Sequence, residues 1–406
     1  MTFIRACIFG LLASSLTFSA AAEWSDPLET PAMSSQKGHQ ALLLDITHAG
    51  QRLVAAGAFG NILWSDDQGS SWQQASVPVR VTLTALTFAD ASHGWAVGHD
   101  GVILATNDSG QSWQLQLDGH QANKAMIAAS EILLERAEEV LAEAEESGDD
   151  IAIEEAEMAA EDASFALEDA QYDYESGSTK PFLDVSFLTP EHGFAVGAYG
   201  MAFETRDGGN SWRQFTGRLP ISEKLHLNSI TKAAYGRLFL VGEMGLILTS
   251  DDSGKNWQQL ESPYDGSLFN LVSNGNELLL MGLRGHVYES ADAGQHWREL
   301  QVDNEQTLIG ATVTGQNEVV LVGNGGAVVT IAADDSSRVH TVQGRKGLAA
   351  VAATDDGTFV VVGEAGVQRI QADASLLKAA GMNSSNNNKS PDTGVSSAAT
   401  LATEEN

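Results

Sequence analysis

Apolar and polar positions alternate along most of this chain in short runs punctuated by glycine, a period of two that predicts half-buried β-strands. One unit recurs seven times: an apolar strand ending in Gly, two variable residues, a second Gly, and another apolar strand. The copies read AAGAFGNILW from Ala55, AVGHDGVILA from Ala96, AVGAYGMAFE from Ala195, LVGEMGLILT from Leu240, LMGLRGHVYE from Leu280, LVGNGGAVVT from Leu321 and VVGEAGVQRI from Val361. Their first glycines are spaced by about 40 residues, the length of a four-stranded propeller blade, except between Gly98 and Gly197, where a further segment intervenes. The spacing predicts an all-β, seven-bladed β-propeller with an α-helical hairpin inserted between blades two and three.

Five copies continue into Ser/Thr-x-Asp-x-Gly-x-x-Trp, the Asp-box, with Asp67, Asp108, Asp207, Asp252 and Asp292 as its acids and Trp72, Trp113, Trp212, Trp257 and Trp297 closing it. A carboxylate can accept backbone N–H bonds across such a turn, glycine supplies a positive φ, and tryptophan packs between blades. An acid repeated from blade to blade in a turn is structural, so the boxes are assigned no catalytic role. Blade six has only the degenerate TIAADDSSRVH, and blade seven stops near Ile370. An open sheet edge is a liability, and the segment 24–40 is expected to close blade seven as its outer strand.

Up-and-down strands place the Gly-x-x-Gly turns and the blade-to-blade connections on one face and the Asp-boxes on the other. From His120 to Ser178 the repeat gives way to an Ala- and Glu-rich stretch without proline, expected as helices over 122–146 and 150–174 joined at Ser147-Gly148-Asp149. Met126, Ile127, Leu133, Leu134, Val140 and Leu141 in the first, and Ile151, Ile153, Met158, Phe165, Leu167 and Tyr172 in the second, are expected to face each other.

Composition sharpens this picture at three points. Arg5, the apolar run 6–18 and the small residues 19–22 form a secretory signal peptide with cleavage near Ala22, placing the mature protein in the periplasm. That apolar run is too short to span a bilayer, and Cys7, the only cysteine, lies inside it. The net charge of −32 excludes nucleic acid as partner, since phosphate binding needs a basic footprint. The insertion, with eighteen acidic residues against Lys124 and Arg136, holds half of that charge. The organisation expected is a signal peptide over 1–22, blades one and two over 23–119, the hairpin over 120–178, blades three to seven over 179–376, and a disordered tail over 377–406.

On the turn face the same strand order places Arg80, Arg218, Lys224, Arg284, Arg345 and Lys346, a set suited to an anionic or acidic partner. The glycine turns, the Asp-boxes and the export signal together resemble the BNR/Asp-box propellers of the photosystem II assembly and stability factor family, over about 42–376 outside the insertion. That resemblance implies a non-enzymatic scaffold that binds a membrane-protein subunit through an arginine-rich propeller face. Arg80, Arg218, Arg284 and Arg345 would then be the counterparts here. For members in bacteria without photosynthesis it implies an accessory protein beside a membrane transporter of the resistance-nodulation-division type. The acidic insertion departs from the photosynthetic members.

Two other classes stay open. A sialidase-like glycoside hydrolase would need an arginine cluster, an acid and a tyrosine nucleophile; Arg218-Leu219-Pro220 faintly resembles the sialidase motif but follows the third box, and Tyr199 and Tyr264 are the propeller tyrosines on the turn face. A glycan-binding protein would use Phe59, Tyr199 and Tyr264. The histidines, His93 and His192 at equivalent hairpin positions among them, show no ligand spacing, and neither metal nor cofactor is expected.

Overall fold

The structure is a computed structural model that describes residues 25–221, 223–373 and 381–382. The expected signal peptide and most of the expected tail lie outside the described residues. Seven antiparallel sheets follow one another along the chain, each strand pairing with the next in sequence. In blade two, for example, Leu83–Phe88 is innermost, followed by Gly94–Gly98, Ile103–Thr106 and Gln114–Leu117 outermost. The innermost strands touch their neighbours all the way round, from Leu43–Ala49 of blade one to Leu348–Ala353 of blade seven and back, so the ring is closed.

Apart from Arg52 and Glu277 at the starts of two of them, the second strands are buried between neighbouring sheets and read as apolar runs, such as Val319–Gly323 and Phe359–Gly363. Aromatic residues fill the wedges between blades: Trp95 stacks on Phe187 with ring centroids 3.5 Å apart, and Phe187 meets Trp212 edge-on. The box tryptophan of blade one, Trp72, is wholly buried against Val360 and Val362 of blade seven.

Each of the five boxes adopts one turn. In the first, Ser65 Oγ donates to Asp67 Oδ1 (2.8 Å), while Gly69 N–H donates to Ser65 Oγ (2.9 Å) and Ser71 N–H to Asp67 Oδ1 (2.8 Å). The same bonds recur around Asp108, Asp207, Asp252 and Asp292. The backbone and side chain of Asn256 hold the Asp252 carboxyl down at a pKa of about 2, and those of His296 do the same for Asp292.

Blade seven corrects an expectation. Among the described residues it has three strands, Leu348–Ala353, Phe359–Gly363 and Gly366–Ile370, and residues 25–42 supply no fourth. Pro27 and Pro31 lack the amide hydrogens a ladder needs, and the segment instead hydrogen-bonds across the turn face, Ala32 N–H to Val77 O (3.0 Å) and Arg80 N–H to Pro27 O (2.8 Å). Only its last turn, Gly38–Gln40, lies against Gly366–Ile370. Gly381–Met382 pairs parallel with Ser71–Trp72 and adds a fifth strand to blade one.

The insertion is two antiparallel helices, α1 (Gly119–Ser147) and α2 (Asp150–Ser176). Asp118 and Gln121 form a reciprocal capping box at the start of α1, and Gly148 in left-handed conformation ends it. The seam differs from the expected one. Its fully buried members are Ala144 on α1 and Ala156, Ala163 and Ala170 on α2, seven residues apart, and Ile127, Leu134, Leu141, Ile153 and Leu167 are half-buried. Leu133, Val140, Ile151, Met158, Phe165 and Tyr172 point to solvent. Alanine lets helices approach closely, so the large side chains are displaced outward.

Candidate partner-binding face

The turn face is built from the Gly-x-x-Gly corners. At Gly57 an added Cβ would lie 2.3 Å from the Leu42 carbonyl oxygen, so the first glycine is required by close backbone approach. The residue before the second glycine then sits in the left-handed region: Phe59, Asp100, Tyr199, Met244 and Arg284 all have φ between 54° and 62°. Bulky side chains are uncommon there and cost on the order of 1 kcal/mol each. In blade six the same position is Gly325, which carries no such cost. The corner geometry drives these side chains outward, leaving Phe59 71% and Met244 67% exposed.

Each basic residue expected on this face has a distinct fate. Arg284 and Arg345 are exposed, and neither guanidinium has an ion partner among the described residues. Lys346 lies 3.8 Å from Glu364. Arg80 is half-buried under the N-terminal segment, with Nη2 3.4 Å from the Pro31 carbonyl. Lys224 reaches across to α2 and bonds Asp169 at 2.5 Å. Arg218 starts from the blade three–four connection but turns away, Nη2 donating to Glu204 (2.5 Å) and Nη1 to the Gly254 carbonyl in the blade-four box (2.8 Å).

Glu204, unremarked in the sequence, is therefore a hub: buried in blade three, it accepts from Arg206, Arg218 and His192. Its partners lie up to fourteen positions away on different loops, which no local motif reveals. With Arg218 filled by Glu204, the arginine that a sialidase-like site would offer to a substrate carboxylate is already satisfied. Tyr264 packs on His286, 4.7 Å between centroids, while Tyr199 stays half exposed beneath Lys180. Lys180 also pairs with Asp173, so the base of the hairpin is fastened to this face by two lysine–aspartate contacts.

The central channel holds a second unforeseen pair. Asp45 and Asp184 lie on the innermost strands of blades one and three and border a cavity of about 160 Å³. Each keeps a little surface toward the channel but is enclosed by protein. Asp45 accepts from Leu86 N–H and Ile46 N–H, and Asp184 from Ile230 N–H and Val185 N–H, tying blade one to two and blade three to four. Burial pushes Asp45 up to about 7 and Asp184 to about 6, against the pull of these amide bonds. Among the described residues no three His, Cys, Asp or Glu side chains are grouped to hold a metal, and no helix is long and apolar enough to cross a membrane.

Fold and face together define a seven-bladed Asp-box propeller that presents strained, exposed side chains on its turn face. Residues 65–140 and 167–372, well over half of the chain, match the model of the Photosynthesis system II assembly factor YCF48 family, and the chain belongs to it. A photosystem II assembly lipoprotein Ycf48 of Synechococcus sp. (strain CC9902) is 42% identical over 78 residues, a stretch covering 19% of this chain and 23% of that relative. The structure of YCF48 from Cyanidioschyzon merolae aligns over 81% of this chain and 94% of its own, with a TM-score of 0.54 at 13% identity. The WD40 propeller domain of Doa1 aligns over 85% and 96%, with a TM-score of 0.56 at 11% identity, and shares the fold alone.

Proposed function

We propose that the chain is a non-enzymatic periplasmic scaffold, exported with cleavage near Ala22, that docks a subunit of a membrane-protein complex on its turn face and assists assembly or activity of that complex. The carrying observation is the set of corner residues Phe59, Tyr199, Met244 and Arg284, held in a costly backbone conformation and turned toward solvent. Strain of this kind persists where the surrounding structure enforces it and clusters at binding sites. Exposed apolar side chains and the unpaired Arg284 and Arg345 on one face suit a partner that offers both apolar surface and carboxylates. Membership of a family named for photosystem II assembly supports an assembly role. The acidic hairpin, where the family match breaks between 140 and 167, supports a client other than a photosystem, and the proposed client, a transporter of the resistance-nodulation-division type, rests on the family resemblance alone.

The test is affinity purification of the mature protein from its native envelope, with wild type beside F59A/M244A and R284E/R345E. The expected result is a transporter complex that co-purifies with wild type and is lost from both variants. Retention by both variants, or binding of glycans instead of a membrane complex, defeats the reading.

A further inference from the structure

Helix α2 repeats a seven-residue pattern whose outermost position is apolar each time: Ile151, Met158, Phe165 and Tyr172. Each is more than half exposed, although the alanine seam lies on the opposite side of the same helix. Glu154, Glu155, Glu161, Asp162, Glu168 and Asp169 stand three or four positions from these residues, so two rails of carboxylates flank the stripe. Among the described residues only Asp169 of the six has an ion partner, Lys224. Solvation explains the rails but not the stripe, because a helix kept soluble by charge has no use for four large apolar side chains in register with its outer face.

We infer that this stripe docks a basic amphipathic helix of the client protein, an inference that rests on the scaffold reading above. Three observations select this occupant. A second copy would set carboxylate rails against carboxylate rails, a like-charge juxtaposition that disfavours association. The chain's own segment 374–406 offers Lys378 and Lys389 against Asp392, Glu404 and Glu405, with no apolar period. The stripe advances about 10 Å per contact at 1.5 Å per residue, which fits apolar residues one heptad apart on a partner helix and not the short alternation of a strand. Lysines or arginines flanking the partner's apolar row would meet the rails, giving attraction at the edges and dehydration along the centre.

The experiment uses the full mature chain and a labelled three-heptad peptide with Leu in one row and Lys in the two flanking rows, followed by fluorescence anisotropy. Wild type is expected to bind it, F165A/Y172A to bind at least tenfold more weakly, and a peptide with Glu in place of Lys not to bind. Equal affinity of F165A/Y172A and wild type would reduce the contact to charge alone and overturn the proposal, as would absence of binding by wild type. So would self-association in sedimentation that F165A/Y172A abolishes. Helical circular dichroism confirms that this variant keeps its hairpin; should it not, E161K/D162K reads the rails, with a tenfold loss expected and unchanged affinity overturning the proposal. R284E/R345E is expected to lose the membrane complex and keep the peptide. Capture of the complex by F165A/Y172A as strongly as by wild type shows that the stripe proposal has failed while the scaffold reading stands.

Discussion

A left-handed residue with a large side chain is a local expense that a glycine would remove. Phe59→Gly is therefore expected to raise stability by about 0.5–1 kcal/mol while weakening capture of the client. Chemical denaturation and the affinity purification read the two effects separately, and a destabilised variant would show that Phe59 packs rather than presents. Asp45 and Asp184 make an opposite kind of residue-scale statement. Their folded pKa values, about 7 and about 6, lie above the unfolded carboxylate value near 3.9, so the folded state holds more protons between these limits. Stability from these two groups falls as pH rises through that window, and the melting temperature should be higher at about pH 5 than at about pH 8. Asp45→Asn is expected to flatten part of this slope, and Asp45→Ala to cost about 1–3 kcal/mol by stranding the buried Leu86 and Ile46 amides.

At the scale of elements, what a short window of sequence contains was legible and what needs two distant segments was not. The glycine corners and the Asp-boxes are closed by residues within a few positions of one another, so spacing alone identifies both the turn and its bonds. The helical hairpin is equally local, and its limits fall within a few residues of those expected. Its seam is less legible, because the apolar periodicity includes residues of both the seam and the outer face. In an alanine-lined contact the small residues approach and the large ones are turned out, so Ala156, Ala163 and Ala170 carry the packing. Arg218 shows the same limitation between blades: its loop position is readable, but Glu204 and the Gly254 carbonyl decide where its guanidinium goes. Removing 120–178 and bridging Gly119 to Thr179 is expected to leave the propeller folded, since Ala122, Ala125 and Met126 are the hairpin residues that join a blade core. Loss of cooperative melting in that deletion would show that the hairpin is part of the propeller's fold.

For the whole molecule, the joint that matters is the one between the first and last blades. Propellers commonly fasten that joint by weaving strands from both chain ends into one sheet; here, among the described residues, blade seven has three strands, the short strand Gly381–Met382 pairs with Ser71–Trp72 of blade one, and side chains bridge the rest of the gap. Trp72 buries itself against Val360 and Val362, His48 bonds the Ala353 carbonyl at 2.9 Å, Gln68 meets Asp355, and Arg369 donates to Ser70 at 2.9 Å. Such side-chain contacts yield one at a time, whereas a full-length shared strand must unzip as a unit. The ring thus has a clasp, and the amides of Gly366–Ile370 should exchange with solvent faster than those of the third strands of blades two to five, each of which a fourth strand covers. A molecule with a clasp opens from one defined place, and under load or heat this propeller should uncoil blade by blade from its seventh toward its middle.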